Sequence, residues 1–451
     1  MIVAMLQGLS LFAMVLFIGY VATIVVPYLR HQPDVPGDAS TFDWHILIPA
    51  RDEEVVIAAT VTRLLRDFPT THVWVIDDDS EDRTAQIVHG MATDPRVHLV
   101  QRRRPQARTG KGDALNAAYN ALLRWLPSDH DPARVIVGVV DADGSLAPDV
   151  LDLVAGARVF GDPQVGGVQI SVRMSNRFGR GDGTARSVLG AGFARFLVRM
   201  QDLEFVGTIS AMQMLREKTG SVGLGGNGQF SRLSVLNTLT EDFDAPWHGA
   251  LLEDYELGLH ILLAGYQNRF VFSAEVDQEA VESLRRLIAQ RTRWAQGGMQ
   301  CSRMYLTPIL QSRHLSTAGA LEAAYFLIAP WTQLFGVLYW PSLYAVFAVK
   351  ALNFPGGPVA FAQTFWFLAV VTLVTGVGPF ALWGPLYRRV VDPSMSRFRS
   401  VLLGLEYAAY LTYTYPTTVR AFGRMLSGRT GWAKTRRNAE PLVAGPVAIE
   451  A

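Results

Sequence analysis

Val135-Ile136-Val137-Gly138-Val139-Val140-Asp141-Ala142-Asp143 is the stretch on which the fold turns. A short run that is apolar throughout and dominated by Val predicts a strand buried on both faces, as in a parallel sheet covered by helices. It exits into two carboxylates spaced two apart, so both project to one side of the chain while Ala142 points away. Two earlier stretches repeat the pattern. His45-Ile46-Leu47-Ile48-Pro49 runs into Ala50-Arg51-Asp52, and Val73-Trp74-Val75-Ile76 runs into Asp77-Asp78-Asp79-Ser80. Such strands alternate with helical stretches from Phe42 onward, which predicts an α/β domain with a largely parallel sheet over residues 42–296. Open α/β sheets bind ligands beyond the C-terminal ends of their strands, and that is where the acids fall. Neither GxGxxG nor GxxxxGKS/T follows any of these strands, which excludes the dinucleotide fingerprint and the P-loop.

The polar residues at those ends have specific chemical uses. Asp141 and Asp143 suit Mg2+ or Mn2+ bridging two phosphates, because these ions take oxygen ligands and keep positions open for substrate oxygens. The plainer alternative is a turn whose acids cap a helix starting at Ser145. Crowding Asp77, Asp78 and Asp79 is costly unless donors or a cation compensate. A uracil N3–H and ribose hydroxyls are fitting partners for Asp77 and Asp78, while Asp79 or Ser80 reads as an Asx-turn and N-cap. Lys111, between Gly110 and Gly112, is a flexible cation after a turn, suited to a phosphate; alone it reads as a solvated loop lysine. Glu253-Asp254 precedes a helical stretch, so one acid caps it and Asp254 is the candidate general base, taking a proton from a hydroxyl that attacks an anomeric carbon. Direct displacement of that kind inverts configuration. Gln290, Arg293 and Trp294 stand at i, i+3 and i+4 and share a helix face. A guanidinium for diphosphate oxygens beside an indole for a sugar suits the leaving-group or acceptor end. The competing use of that face is anchoring at a membrane interface, since an amphipathic stretch continues over 297–316.

Composition places this domain next to a bilayer. The 451 residues are 49% hydrophobic with a positive mean hydropathy of +0.18, too apolar for an ordinary water-soluble enzyme. The net charge of +1 points to no partner. Basic clusters at Arg102-Arg103-Arg104 and from Arg420 to Arg437 lack interleaved stacking aromatics, which argues against nucleic acid. Cys301 is the single cysteine, excluding an intrachain disulfide and a cysteine-based zinc cluster.

Residues 1–29 carry no charged side chain, and Leu9 to Leu29 is about the 20 residues that a spanning helix requires. It lacks the basic start of a signal peptide, so 1–30 is expected to be a retained transmembrane helix. Arg30 and His31 follow it, which predicts an outside N-terminus and a cytoplasmic catalytic domain. Residues 318–350 and 359–387 are the next expected spans, joined by the turn Asn353-Phe354-Pro355-Gly356-Gly357-Pro358. The segment 398–424 holds Glu406, Tyr407, Tyr410, Tyr413 and Tyr415 between basic flanks, and is expected to be an interfacial helix in preference to a fourth span.

Pro49-Ala50-Arg51-Asp52-Glu53-Glu54, then Asp77-Asp78, Asp141-Ala142-Asp143, Glu253-Asp254 and Gln290-Arg291-Thr292-Arg293-Trp294 in that order resemble the membrane-integrated family 2 glycosyltransferases that include cellulose, chitin and hyaluronan synthases. The resemblance implies a GT-A fold inserted between transmembrane helices in the plasma membrane, a UDP-activated sugar such as UDP-Glc or UDP-GlcNAc, and Mg2+ or Mn2+ on Asp143 and Asp141. It implies inversion with Asp254 as base and Glu253 at the substrate. It also implies extension of a β-linked polysaccharide and its export through the helices. Asn227, within Gly225-Gly226-Asn227-Gly228-Gln229-Phe230, stands where relatives place an acceptor-binding loop, in a wording that departs from the cellulose-synthase type. Trp432, Thr435 and Arg437 resemble the FxVTxK gating loop that covers UDP, which requires a cytoplasmic tail over 428–451. Three spans make a thin conduit, so a polymer implies a homo-oligomer or an export partner. The alternative expectation is transfer of one or a few sugars to a lipid acceptor, which needs no pore.

Overall fold

The expected strands belong to one eight-stranded sheet: β1 (Asp43–Ala50), β2 (His72–Asp78), β3 (Val97–Arg102), β4 (Val135–Val139), β5 (Ser145–Leu146), β6 (Val165–Met174), β7 (Gln229–Arg232) and β8 (Gln267–Gln278). The computed structural model describes residues 2–178 and 188–429. Strand order is β3-β2-β1-β4-β7-β6-β8-β5. The first four strands are parallel, whereas β7 is antiparallel to both β4 and β6. The sheet is therefore mixed: β3-β2-β1-β4 are parallel, β7 and β5 run antiparallel to their neighbours, and β6 and β8 are again a parallel pair. β1 pairs with β2 on one side and with β4 on the other. Their connections leave in opposite directions there, opening a crevice beyond the strand ends. Instead of a helix at Ser145, the chain forms β5.

The helices are α1 (Ile2–Leu29), α2 (Ile57–Asp67), α3 (Thr84–Met91), α4 (Lys111–Trp125), α5 (Val150–Val154), α6 (Val188–Leu203), α7 (Ser210–Thr219), α8 (Leu233–Phe243), α9 (Glu253–Leu263), α10 (Leu284–Gln311) and α11 (Thr317–Leu352). A π-helical turn, Glu204–Ile209, joins α6 to α7. Strand alternation divides the sheet residues between two cores. Ile46, Ile48, Val73 and Val75 pack with Ile57, Val61 and Leu64 of α2 on one face. Leu47, Trp74 and Ile76 pack with Leu115, Ala118 and Leu122 of α4 on the other.

Beyond α11 come α12 (Gly357–Thr364), α13 (Trp366–Thr372), α14 (Gly378–Ala381), α15 (Trp383–Val390), α16 (Arg397–Tyr410) and α17 (Thr414–Leu426). The turn before α12 has Gly356 and Gly357 at φ 84° and 78°, which glycine adopts without strain. Three helical segments of the described residues are long and apolar enough to cross a membrane: Phe12–Leu29, Thr317–Leu352 and Trp366–Val390, with mean hydropathies of 2.2, 1.4 and 1.8. A third core, containing Ile24 and Tyr28 of α1, Met200 and Leu203 of α6, Trp383 of α15 and Tyr407 of α16, ties the first and last of these segments to the domain, while Ala320, Ala323 and Leu327 of α11 pack with Tyr255 and Leu259 of α9.

One expected boundary needs correction. The boundary at 296/297 falls inside α10, one continuous helix carrying both the Gln290 to Trp294 face and most of the supposed interfacial stretch. Three of the tyrosines of 398–424 have partners within the protein, whereas Tyr415 is exposed. The Tyr407 hydroxyl lies 2.8 Å from Thr208 Oγ1, and Tyr410 and Tyr413 donate to Glu204 at 3.0 and 2.6 Å. Glu406 is matched by Arg399 at 2.7 Å, so its charge is offset within α16.

Candidate active site

β4 delivers Asp141 and Asp143 to the crevice, and neighbouring elements hold them. The Asp141 amide donates to Asn227 Oδ1 (3.1 Å), and Asn227 Nδ2 donates to Gln278 Oε1 (3.0 Å). Asn227 thus buttresses the loop after β4 in addition to lining the cavity. Asp143 Oδ2 accepts the Glu279 amide at 2.9 Å. Lys111 is the first residue of α4, not a loop cation. Its Nζ donates to Asp141 Oδ1 and to the Gly226 carbonyl, both at 2.8 Å, and lies 3.9 Å from Glu253 Oε1. Burial pulls this ammonium down, but Asp141, Glu253 and Asp254 together hold it above its ordinary value.

At the end of β2 the two acids divide. Asp77 is wholly buried, accepts the Ser80 amide (3.1 Å) and pairs with Arg103 (2.9 Å), so it forms the turn and is not placed to touch a nucleoside. Asp78 lines the cavity. Arg102 stands opposite it in register on β3 and donates at 2.6 Å, with the Arg108 amide at 3.1 Å.

Glu253 and Asp254 open α9, where the helix dipole favours anions. Burial, then the charge of Asp254, pushes Glu253 up to about 7. Burial likewise raises Asp254 above the ordinary aspartate range, opposed by Lys111. Arg293 faces Glu253, Asp141 and Asp254, and burial brings its guanidinium below its ordinary value. Gln290, Arg293 and Trp294 all line the cavity.

Two residues escaped sequence reasoning. Arg291, between Gln290 and Arg293, donates to Glu204 at 2.6 Å and covers the Trp294 ring with its guanidinium carbon 3.9 Å from the centroid. Glu204 opens the π-helical turn and also takes the Tyr410 and Tyr413 hydroxyls. Two acids, Asp202 and Glu204, amid the apolar residues Leu203, Phe205 and Val206 were the available signal. Trp432, Thr435 and Arg437 lie outside the described residues.

The resulting cavity, about 560 Å³, joins Asp78, Asp141, Asp143 and Asp254 to Trp294 and to the wall of α11, within the usual range for small-molecule sites. Asp78, Asp141, Asp143, Glu253 and Asp254 outnumber Arg51, Lys111 and Arg293 at this end of the cavity, so the crevice favours an added cation. Among the described residues no three His, Cys, Asp or Glu side chains group as a ligand set. Two carboxylates with phosphate oxygens and water completing the shell fit Mg2+ or Mn2+, and an all-oxygen set disfavours zinc.

A mixed sheet of this order, with carboxylates at the switch point and the Glu253–Asp254 pair facing them, defines a GT-A-like glycosyltransferase. The chain belongs to the family described as glycosyltransferase like family 2, whose profile matches residues 43–297. It is 30% identical over 276 residues to the beta-monoglucosyldiacylglycerol synthase of Synechocystis sp., covering 59% of this chain and 51% of that protein. The chain therefore spans about half the length of that relative. It is 25% identical over 405 residues to the probable glycosyltransferase YdaM of Bacillus subtilis, covering 87% and 86%. In fold it is similar to the mannosyltransferase PcManGT from Pyrobaculum calidifontis, solved in complex with GDP-Man and Mn2+ (TM-score 0.55, 18% identity, 91% and 98% covered).

Proposed function

We propose that this enzyme transfers one sugar, or a few, from a nucleotide-activated donor to the hydroxyl of a lipid acceptor, with inversion. The observation that carries the reading is the single cavity running from the β4 carboxylates past Asp254 to the wall of α11, an apolar helix of span length. The likeness to a glucosyldiacylglycerol synthase supports this acceptor class over extension of a polysaccharide. The apolar segments in α1, α11 and α13–α15 anchor the domain in the bilayer, with the catalytic face in the cytoplasm.

In this reading Asp141 and Asp143 hold Mg2+ or Mn2+, which when bound neutralises the diphosphate leaving group. Asp78 and the Arg102 to Arg108 loop border the nucleoside, Arg293 the diphosphate, and Trp294 the junction between the sugar and its acceptor. Asp254 takes the acceptor's proton as its oxygen attacks the anomeric carbon and the bond to the diphosphate breaks. Lys111 keeps Asp141 oriented and offsets the adjoining acids.

Incubation with UDP-Glc, UDP-GlcNAc, UDP-GlcA, UDP-Gal and GDP-Man in the presence of membrane lipid tests the reading. A discrete lipid glycoside is expected. A ladder or high-molecular-weight glycan would sink it.

A further inference from the structure

Resting on the lipid-acceptor reading, we infer that the lobe of the cavity beyond Trp294 is the acceptor subsite and that it takes a neutral, hydroxyl-bearing lipid, not a lipid phosphate. Its walls are Phe205 and Ile209 of the π-helical turn, Met212 of α7, Phe326 and Pro330 of α11, and Thr417 of α17. These surfaces suit hydrocarbon with an occasional hydroxyl. α11 presents Leu321, Phe335 and Leu338 outward at 60%, 54% and 73% exposure, so the helix that walls the lobe is itself apolar on its outer surface. A lipid lying against α11 reaches the lobe with little exposure of its chains to water, and its head then points toward Asp254.

Charge selects the head. Two cations border the lobe, Arg216 and Arg291. Arg216 is buried and ion-paired through Nε to Glu322 Oε1 at 3.2 Å, an oxygen that also accepts the Tyr20 hydroxyl at 2.9 Å. The Phe326 ring covers its guanidinium at 4.5 Å. Arg291 is buried and ion-paired to Glu204 at 2.6 Å, with Trp294 over its guanidinium. Arg216 Nη2 and Arg291 Nε have no acceptor, yet both atoms are closed off by protein and present no surface to a ligand. The other cations on the cavity wall belong to the donor end, Lys111 and Arg293 among Asp141, Glu253 and Asp254, and Arg51 beyond β1 beside Asp52. Among the described residues each cation bordering the lobe is therefore matched by a buried carboxylate. A phosphate brought here would meet only cations that carboxylates already offset, Arg216 and Arg291 in the lobe and Lys111 and Arg293 beside Asp254, so its burial would be poorly compensated. A hydroxyl needs only hydrogen-bond partners. In the transfer its oxygen bonds to the anomeric carbon, the C–O bond to the diphosphate breaks with its electron pair, and the proton passes to Asp254.

The full chain in phosphatidylcholine vesicles, supplied with the five nucleotide sugars, is offered dioleoylglycerol or undecaprenyl phosphate, and sugar extracted with lipid is measured. Transfer to dioleoylglycerol is expected to exceed transfer to undecaprenyl phosphate at least tenfold. Equal or better use of the lipid phosphate overturns the neutral-acceptor inference. Ala329→Trp, which fills the lobe from α11, is expected to raise the KM for dioleoylglycerol at least tenfold while the donor KM moves less than twofold. Ile209→Phe, from the opposite wall, repeats the test should the first variant fold poorly. An unchanged lipid KM in a folded variant removes the lobe as the subsite. Product only on a soluble oligosaccharide removes the lipid-acceptor reading itself, a result distinct from a preference for the lipid phosphate.

Discussion

The guanidinium carbon of Arg291 lies 3.9 Å from the centroid of the Trp294 ring, while its Nη2 donates to Glu204 at 2.6 Å. Arg291 thereby fixes one face of the indole and leaves the ring turned to the cavity. A desolvated cation–π contact of this kind is worth up to about 2 kcal/mol. Lysine reaches the carboxylate or the ring but lacks the planar fork that meets both. Arg291→Lys is expected to raise the acceptor KM about tenfold with a smaller change in kcat. Steady-state kinetics with a thermal melt check this, and an unmoved acceptor KM removes the positioning role.

Asp254→Asn is expected to lower kcat by about 10²–10⁴, the range of general base catalysis, with nucleotide binding by calorimetry preserved. Because burial raises this carboxyl above the ordinary aspartate range, the wild-type rate is expected to climb with pH if Asp254 is the base. Undiminished turnover in the variant would assign the base elsewhere.

Glu253 carries a stability signature. Its pKa moves from 4.5 to about 7 on folding. Between those values the folded chain holds a proton that the unfolded chain has lost, so this group's contribution is complete below pH 4.5 and is lost as pH rises through 7. Relative to Glu253→Gln, wild type is expected to lose melting temperature over that window. Parallel melting curves for the two proteins would contradict the assignment.

His45 has the opposite sign. Burial, then His72 and His98, brings its pKa to about 3 from 6.5, and its Nδ1 accepts the Trp74 indole N–H at 3.1 Å. Below pH 6.5 the unfolded chain takes up a proton that the folded ring accepts only near pH 3, so stability falls as pH drops. His45→Gln keeps an acceptor for Trp74. It is expected to shrink the melting-temperature loss between pH 7.5 and 4.5 by about 3 °C or more, measured by scanning calorimetry.

Gly226 abuts the reacting groups. A Cβ there would lie 3.1 Å from both Asp254 Oδ2 and Lys111 Nζ. Gly226→Ala is expected to displace the base and cut kcat about tenfold, with melting temperature within a few degrees of wild type. Full activity would show that Asp254 tolerates the shift.

Local information was legible in the sequence by itself. Apolar runs ending in acids located β1, β2 and β4 and the acids beyond their ends, and length with hydropathy located three apolar segments. These features depend on neighbours a few residues apart, through strand alternation and helix rise. The antiparallel β7 was not legible, because it inserts beside β4 from about 90 residues away in sequence. Only the tertiary structure separated buried Asp77 from cavity-lining Asp78, turned Lys111 onto Asp141, and made Asn227 a support for the loop after β4. The same holds for Glu204, whose partners Arg291 and Tyr413 lie 87 and 209 residues away. Charge pairing between distant segments leaves no spacing to read, since it depends on which surfaces the fold buries against each other. That pairing also leaves the acceptor lobe without an unmatched cation among the described residues, the physical reason it favours a neutral lipid.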